Sequence, residues 1–395
     1  MRINLALLLG IIIFSNQTFA QYTWTAKNDF PGLKRYAGSA FSINNLGYFG
    51  CGADFTGNFS NVYKDFWQYN TGSDTWIQIA DIPLQRYSAI DFSLDGFGYV
   101  GTGWTVLGSA ATSTFYKYNP TSNTWTLIAP LPGSNRYTGV GLSNGLKGYG
   151  GFGYAPLRKD FYEYNAVNDI WTPVTTFPST ERQSLNGFTI GTDVYVGCGY
   201  TSSPRNDFWK YDPVNGTWTQ TADYPVPNYA SVGFTLNNKG IVGLGRNNTV
   251  QFNSFFEYDP TSNSWTALPP FPSTGREGSD VFVLNGCAYI IGGRTGSNNY
   301  LKEVWQLCLT TSLEDNEELP FELNLYSQDQ FINIAFNSED GSKYELNIHD
   351  VTGRKIFTGK LQSSYNEQIN VASGIYVYAV NKNNKIVKTG KVAVN

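Results

Sequence analysis

The chain is almost without histidine: of its 395 residues only His349 is one. Histidine-rich zinc sites and Ser-His-Asp triads therefore have nothing to be built from before residue 349. Charge is sparse too, at 15% of residues with a net charge of -4. No long basic run occurs, so the electrostatic footprint of a nucleic-acid binder is missing. Four cysteines in a chain of this length do not make a disulfide scaffold. After residue 20 no apolar stretch approaches the length of a bilayer-spanning helix. No phosphate-cradling P-loop motif is present. The chain is instead rich in aromatic residues, at 16%, and in glycine, with 41. That composition suits many short strands joined by tight turns.

One signature recurs six times between Tyr22 and Leu309. A glycine pair closes a short apolar run, and a strand ending in Tyr, a tight turn and a Trp follow. The glycine member reads Gly50-Cys51-Gly52, Gly101-Thr102-Gly103, Gly151-Phe152-Gly153, Gly197-Cys198-Gly199, Gly243-Leu244-Gly245 and Gly292-Gly293. The Tyr-to-Trp member runs Tyr69 to Trp76, Tyr118 to Trp125, Tyr164 to Trp171, Tyr211 to Trp218 and Tyr258 to Trp265. From Trp24 onwards the successive Trp positions lie 52, 49, 46, 47 and 47 residues apart. A fixed period near 50 with strand-like composition means radial repetition, which a β-propeller provides.

The second repeat shows how one unit becomes a four-stranded blade. Arg86 to Leu94 is a first strand, Asp95-Gly96 a turn, and Phe97 to Gly101 an apolar second strand. Thr114 to Tyr118 is the third strand and Trp125 to Ile128 the fourth, ended by Pro130 and Pro132. The sixth repeat stops at Val304-Trp305-Gln306-Leu307 without its own downstream Trp, while Trp24 has no upstream glycine pair. Tyr22 to Thr25 is therefore expected to supply the outer strand of blade six, which removes an exposed edge. In that blade, pairing Ile291 with Val304 sets Cys287 opposite Cys308, close enough for a bridge in some registers. Cys51 and Cys198 fall in diametrically opposite blades and are expected to stay unbridged.

The pattern of Arg before strand one, a diglycine ending strand two, Tyr closing strand three and Trp opening strand four resembles the kelch repeat. The departures are the residues at the first diglycine position and Asn228 in place of Arg in blade five. The resemblance implies an all-β fold, a six-bladed kelch-type β-propeller, with ligands on the face that carries some of these arginines. A galactose-oxidase-type copper site needs two histidines in the propeller, which has none, so copper oxidase activity is excluded. An enzyme similar to the kelch-type sialic acid mutarotases needs only a carboxylate and a cation, and stays as the alternative. Its candidate carboxylates are Asp54, Asp160, Glu181, Asp207 and Glu277, none singled out by spacing.

Residues 1–20 read as a secretory signal peptide, with Arg2, an apolar run from Leu5 to Phe14 and a Thr18-Phe19-Ala20 exit. Residues 21–309 form the propeller, and 310–320 an acidic linker carrying Glu314, Asp315, Glu317 and Glu318. Residues 321–395 alternate short strands with turns and predict a small Ig-like β-sandwich. Ile348-His-Asp-Val-Thr-Gly-Arg-Lys355, the opening Ser373-Gly374-Ile375-Tyr376 and the run Lys388 to Val394 resemble the C-terminal sorting domain of the type IX secretion system of Bacteroidetes. That resemblance implies export to the cell surface or secretion, with the secretion machinery as partner.

In an antiparallel blade the 4-to-1 connection and the 2-to-3 loop open on one face. Arg35, Arg86, Arg136, Arg182 and Arg276 share that face with Trp104, Tyr154, Arg158, Arg205, Arg246 and Arg294. Arginine beside aromatics around a funnel suits a carboxylate, an acidic peptide or a sugar. The opposing reading is that repeat arginines bind loop carbonyls and lock the blades. The expected function is a non-catalytic binding propeller for a carbohydrate, an anionic ligand or a protein, with no cofactor, no metal and no catalytic residue assigned.

Overall fold

The computed structural model describes residues 20–56, 61–105, 110–296, 298–311, 321–328, 330–338, 341–383 and 385–394. All of the predicted signal peptide but its last residue, and all of the predicted linker beyond 311, lie outside these. The chain divides into two compact units, one from Tyr22 to Leu309 and one holding the residues from Thr310 onwards. Among the described residues no helix is long and apolar enough to cross a membrane.

The first unit is a six-bladed β-propeller. Each blade is a four-stranded antiparallel sheet. Blade 2 comprises Ile90–Leu94, Phe97–Gly101, Phe115–Asn119 and Thr124–Ile128. Its second strand is buried at four of five positions, whereas its outer strand is mostly exposed. In blade 6 the order is Ala20–Lys27, Val304–Thr311, Cys287–Ile291 and Asp280–Leu284. The N-terminal strand thus lies outermost in the last blade, as the unpaired Trp24 predicts. Cys287 faces Cys308 across this blade and the two are disulfide-bonded. Cys51 and Cys198 are free and buried.

The core is six wedges, one between each pair of neighbouring blades. Phe41, Ile43, Tyr48 and Phe66 of blade 1 meet Val100 and Tyr118 of blade 2. Phe282, Tyr289 and Ile291 of blade 6 meet Phe49 and Tyr69 of blade 1. Four of the repeat Trp side chains bond across their wedges: Trp125, Trp171, Trp218 and Trp265 donate Nε1–H to the carbonyls of Ala80, Ala129, Thr175 and Ala222 in the preceding blade. Glycines of the second strands give room to aromatic rings from the neighbour. A Cβ on Gly98 meets the Phe41 ring at 2.2 Å and one on Gly148 meets the Phe92 ring at 2.4 Å.

Around the axis the backbone closes on itself. Ala37 donates its N–H to Gly278 O, Gly278 to Ala230, Ala230 to Ser184, Ser184 to Thr138, Thr138 to Ser88 and Ser88 to Ala37, at 2.7–3.1 Å. All six residues sit in the left-handed region, with φ from 52° to 59°. This ring has one bond per blade and links all six first strands at the axis.

The second unit is a sandwich of a three-stranded sheet on a four-stranded sheet. The first has Phe331–Ser338 between Phe321–Gln328 and Ser364–Asn370. The second has the order Lys355–Leu361, Tyr344–Asp350, Gly374–Lys382 and Lys385–Val394. Alternate residues such as Ile332, Ile334 and Phe336 face Leu346, Ile348 and Val380 in one core.

Candidate functional site

The five repeat arginines are not in the funnel. Each is buried, at 0–1% exposure. Arg35, Arg86, Arg136, Arg182 and Arg276 all donate Nη1–H to the carbonyl sixteen residues on: Cys51, Thr102, Phe152, Cys198 and Gly292. Four are also ion-paired, with Asp65, Asp160, Asp207 and Glu303. Arg86 has Thr114 instead. In blade 5 Asn228 reaches the equivalent carbonyl of Leu244 at 2.7 Å. The expectation that these arginines bind ligand is therefore corrected: they tie each blade's entry to its own loop. A buried guanidinium without partners is costly, which explains why an acceptor carbonyl and a carboxylate accompany most of them. Burial raises the Asp207 pKa, but the bonds from Arg182 and Trp209 outweigh it and hold the carboxyl down at about 2.

The face itself is built by the residue after each arginine and the residue after each glycine pair. These join as antiparallel bridges: Tyr36 with Ala53, Tyr87 with Trp104, Tyr137 with Tyr154, Gln183 with Tyr200, Tyr229 with Arg246 and Glu277 with Arg294. The second glycine of each pair has positive φ, from 81° to 102°. A Cβ there meets the carbonyl of the bridge partner's own strand, 2.6 Å away at Gly153 and Tyr137. The bridges set an aromatic belt around the axis. Tyr300 lies 5.6 Å from Tyr36, and Phe55 lies between Tyr36 and Tyr87. Trp104 meets Tyr137 at 5.2 Å, Tyr137 meets Tyr154 at 5.7 Å, and Tyr200 meets Tyr229 at 5.0 Å.

The belt is interrupted in blades 5 and 6 by charge. Arg246 Nη1 and Arg294 Nε donate to Glu277 Oε1 at 3.1 and 3.0 Å, and Gln251 Nε2 joins them at 3.2 Å. Arg294 lies 4.5 Å over the Tyr36 ring and Arg246 5.8 Å over Tyr229. Of the other loop residues proposed from the sequence, Trp104 and Tyr154 belong to the belt. Arg158 bonds the Ser134 hydroxyl at 2.5 Å. Arg205 stands 3.7 Å from Asp207 with its side chain 40% exposed.

Of the candidate carboxylates, Asp160 and Asp207 are spent on Arg136 and Arg182, and Glu181 is exposed. Asp54 is buried. Burial pushes its pKa up, and hydrogen bonds from Tyr63, Thr56 and Asn61 more than reverse that, so it lies below the usual value. Among the described residues no cluster of three or more His, Cys, Asp or Glu could hold a metal ion.

Below the ring of backbone bonds the six first strands line an axial cavity of about 350 Å³. Two carboxylates face it that the sequence reasoning did not single out, Asp91 and Asp280. Burial lifts Asp280 to about 7, against the Gly38 N–H it accepts and the charge of Arg35. Burial lifts Asp91 well above the usual carboxylate range, and the charge of Asp280 adds to this. Sequence reasoning also missed the belt tyrosines other than Tyr154. The signal was present: in four of six blades Tyr follows the arginine position, at Tyr36, Tyr87, Tyr137 and Tyr229.

Comparison with known proteins places each unit separately. Residues 328–395 match the family described as a secretion system C-terminal sorting domain. The solved structure of YjhT is similar to this chain with a TM-score of 0.60 and 15% identity, covering 71% of this chain and 97% of that one. At that identity the likeness shows the fold alone. No curated protein matches the chain. Propeller and sorting domain together define a class: an exported β-propeller. The protein is delivered to the outer cell surface or secreted, by the type IX system to which such sorting domains belong.

Proposed function

We propose that the protein is a non-catalytic binding propeller of kelch type whose loop face holds a carbohydrate outside the cell. One observation carries this reading: aromatic side chains set around the axis, interrupted at Gln183 and, in one sector, by a carboxylate held between two guanidiniums. Aromatic faces pack against the apolar faces of sugar rings, while a few fixed polar groups orient the hydroxyls. The sorting domain supports a role outside the cell, where polysaccharide is encountered. The carbohydrate-active enzyme alternative gains no support from this geometry. The two carboxylates that burial has shifted upwards, Asp91 and Asp280, face the axial cavity rather than the belt.

The test is a glycan array on the propeller, followed by titration calorimetry with Trp104→Ala and Tyr137→Ala. Binding weakened about tenfold by each substitution is expected, because each removes an aromatic face on which a sugar ring would pack. Binding to glycans that ignores both substitutions would place the site elsewhere on the molecule.

A further inference from the structure

The charged sector specifies more than a place. Glu277 Oε1 receives all three local donors, from Arg246, Arg294 and Gln251. Its Oε2 receives no hydrogen bond from any described residue, and the side chain is 5% exposed. Oε1 is committed to these three donors. Gln251 is itself pinned, its amide also donating to Arg294 O at 3.2 Å and its Oε1 accepting Gly296 N–H at 2.8 Å. Arg294 lies over the Tyr36 ring and Arg246 near that of Tyr229. A carboxylate oxygen has two acceptor positions, and each guanidinium keeps donors beyond the one spent on Oε1. The sector therefore offers one unpaired acceptor oxygen at the edge of the buried Glu277 side chain, flanked by cationic donors.

We infer that this sector anchors an uncharged vicinal diol, with Glu277 Oε2 accepting the hydroxyl protons and Arg246 and Arg294 donating to the hydroxyl oxygens, so that the face takes neutral rather than acidic sugars. The inference rests on the carbohydrate reading above. Two observations separate it from an anion site. An incoming carboxylate would meet the open oxygen of Glu277, and like charges in that position repel. The five repeat arginines, which would have made the funnel strongly positive, are buried, and four are neutralised by Asp65, Asp160, Asp207 and Glu303. What remains in this sector is two guanidiniums around one carboxylate, with Arg158 on the Ser134 hydroxyl and Arg205 beside Asp207 elsewhere on the face. A preorganised acceptor of this kind recognises hydroxyl groups because a ligand lacking them leaves a buried acceptor unpaired.

The experiment uses the full chain and paired oligosaccharides, one set ending in neutral hexoses and one in the corresponding uronic acids. Neutral sugars are expected to bind, and the uronic acids to bind at least tenfold more weakly. Periodate cleavage of the terminal diols, followed by borohydride reduction, is expected to weaken binding of the neutral set to the unaltered protein at least tenfold. Glu277→Gln is expected to weaken it about tenfold, with a thermal melt confirming that the variant is folded. The periodate arm needs no variant and decides the matter if Glu277→Gln unfolds. Preference for the uronic acids, tighter binding by Glu277→Gln, or indifference to periodate overturns the diol assignment and leaves the carbohydrate reading standing. Absence of binding to every glycan, with the protein folded, removes both.

Discussion

Asp280 gives the propeller a pH dependence of unusual sign. Its folded pKa of about 7 lies above the ordinary carboxylate value of about 4, so the native state holds a proton that the unfolded chain releases. The stability it allows is complete below pH 4 and is lost as pH rises through 7. The groups facing it are Asp91, whose own shift is in the same direction, Arg35 and the Gly38 N–H. Between pH 5 and pH 8 the loss from Asp280 is about 2–3 kcal/mol. Thermal melts should show a lower Tm at pH 8 than at pH 5, and Asp280→Asn should flatten that difference. A wild-type Tm that rises steadily from pH 5 to pH 8 would count against it. At the same scale, Arg182→Ala should cost about 3 kcal/mol, because it leaves the Cys198 carbonyl without its donor and Asp207 without the guanidinium that pairs its charge. Chemical denaturation measures it, and a loss under about 1 kcal/mol would mean the ion pair is not holding the blade. Arg86→Ala with Arg136→Ala is accordingly expected to weaken the fold, whatever it does to binding.

The blade is the unit at which closure is decided. The strand Ala20–Lys27 completes blade 6 from outside, with Trp24 seated on Phe255 and Phe271 at 5.1 Å each. Deleting residues 21–28 should expose the edge of Val304–Thr311 and lower Tm, with aggregation on heating as the visible consequence. An unchanged melt would show that the ring does not depend on this strand. The Cys287–Cys308 bond reinforces the same blade by closing a loop of 21 residues. A bridge of that span is worth about 3 kcal/mol in the chain-entropy account, so the double substitution Cys287→Ser, Cys308→Ser should lower stability by about that amount. Denaturant midpoints of oxidised and reduced protein supply the comparison.

At the scale of the whole molecule two compact units divide the labour. The sandwich has its own core of Phe321, Ile334, Leu346 and Val380, and the propeller has its six wedges. Truncation after Thr311 should therefore leave a propeller that folds and binds but stays in the periplasm. Cell fractionation with a propeller antibody tests this, and surface delivery of the truncated chain would contradict the assignment of export to residues 321–395.

The sequence by itself determined the repeat, the blade strands, the closing of blade 6 by Trp24 and the register of Cys287 with Cys308. These follow from local periodicity: glycine where neighbouring rings approach, Trp where a wedge widens, and pairing that advances two residues at a time. The sorting segment was legible for the same reason, as a contiguous run of motif residues. The site was legible only in part. The 4-to-1 connections and 2-to-3 loops were placed on one face, and Trp104, Tyr154, Arg246 and Arg294 were among the residues named. Whether a side chain points at solvent or back into its own blade is a matter of three dimensions. Arg35 and Arg294 are the same residue type on the same face, yet one is spent on Cys51 and Asp65 and the other stands over Tyr36 beside Glu277. Glu277 and Arg246 lie 31 residues apart and belong to different blades, so no spacing rule joins them. Only the closing of six blades around one axis brings them together, and the same closing traps Asp91 and Asp280 beside the axial cavity where burial shifts them.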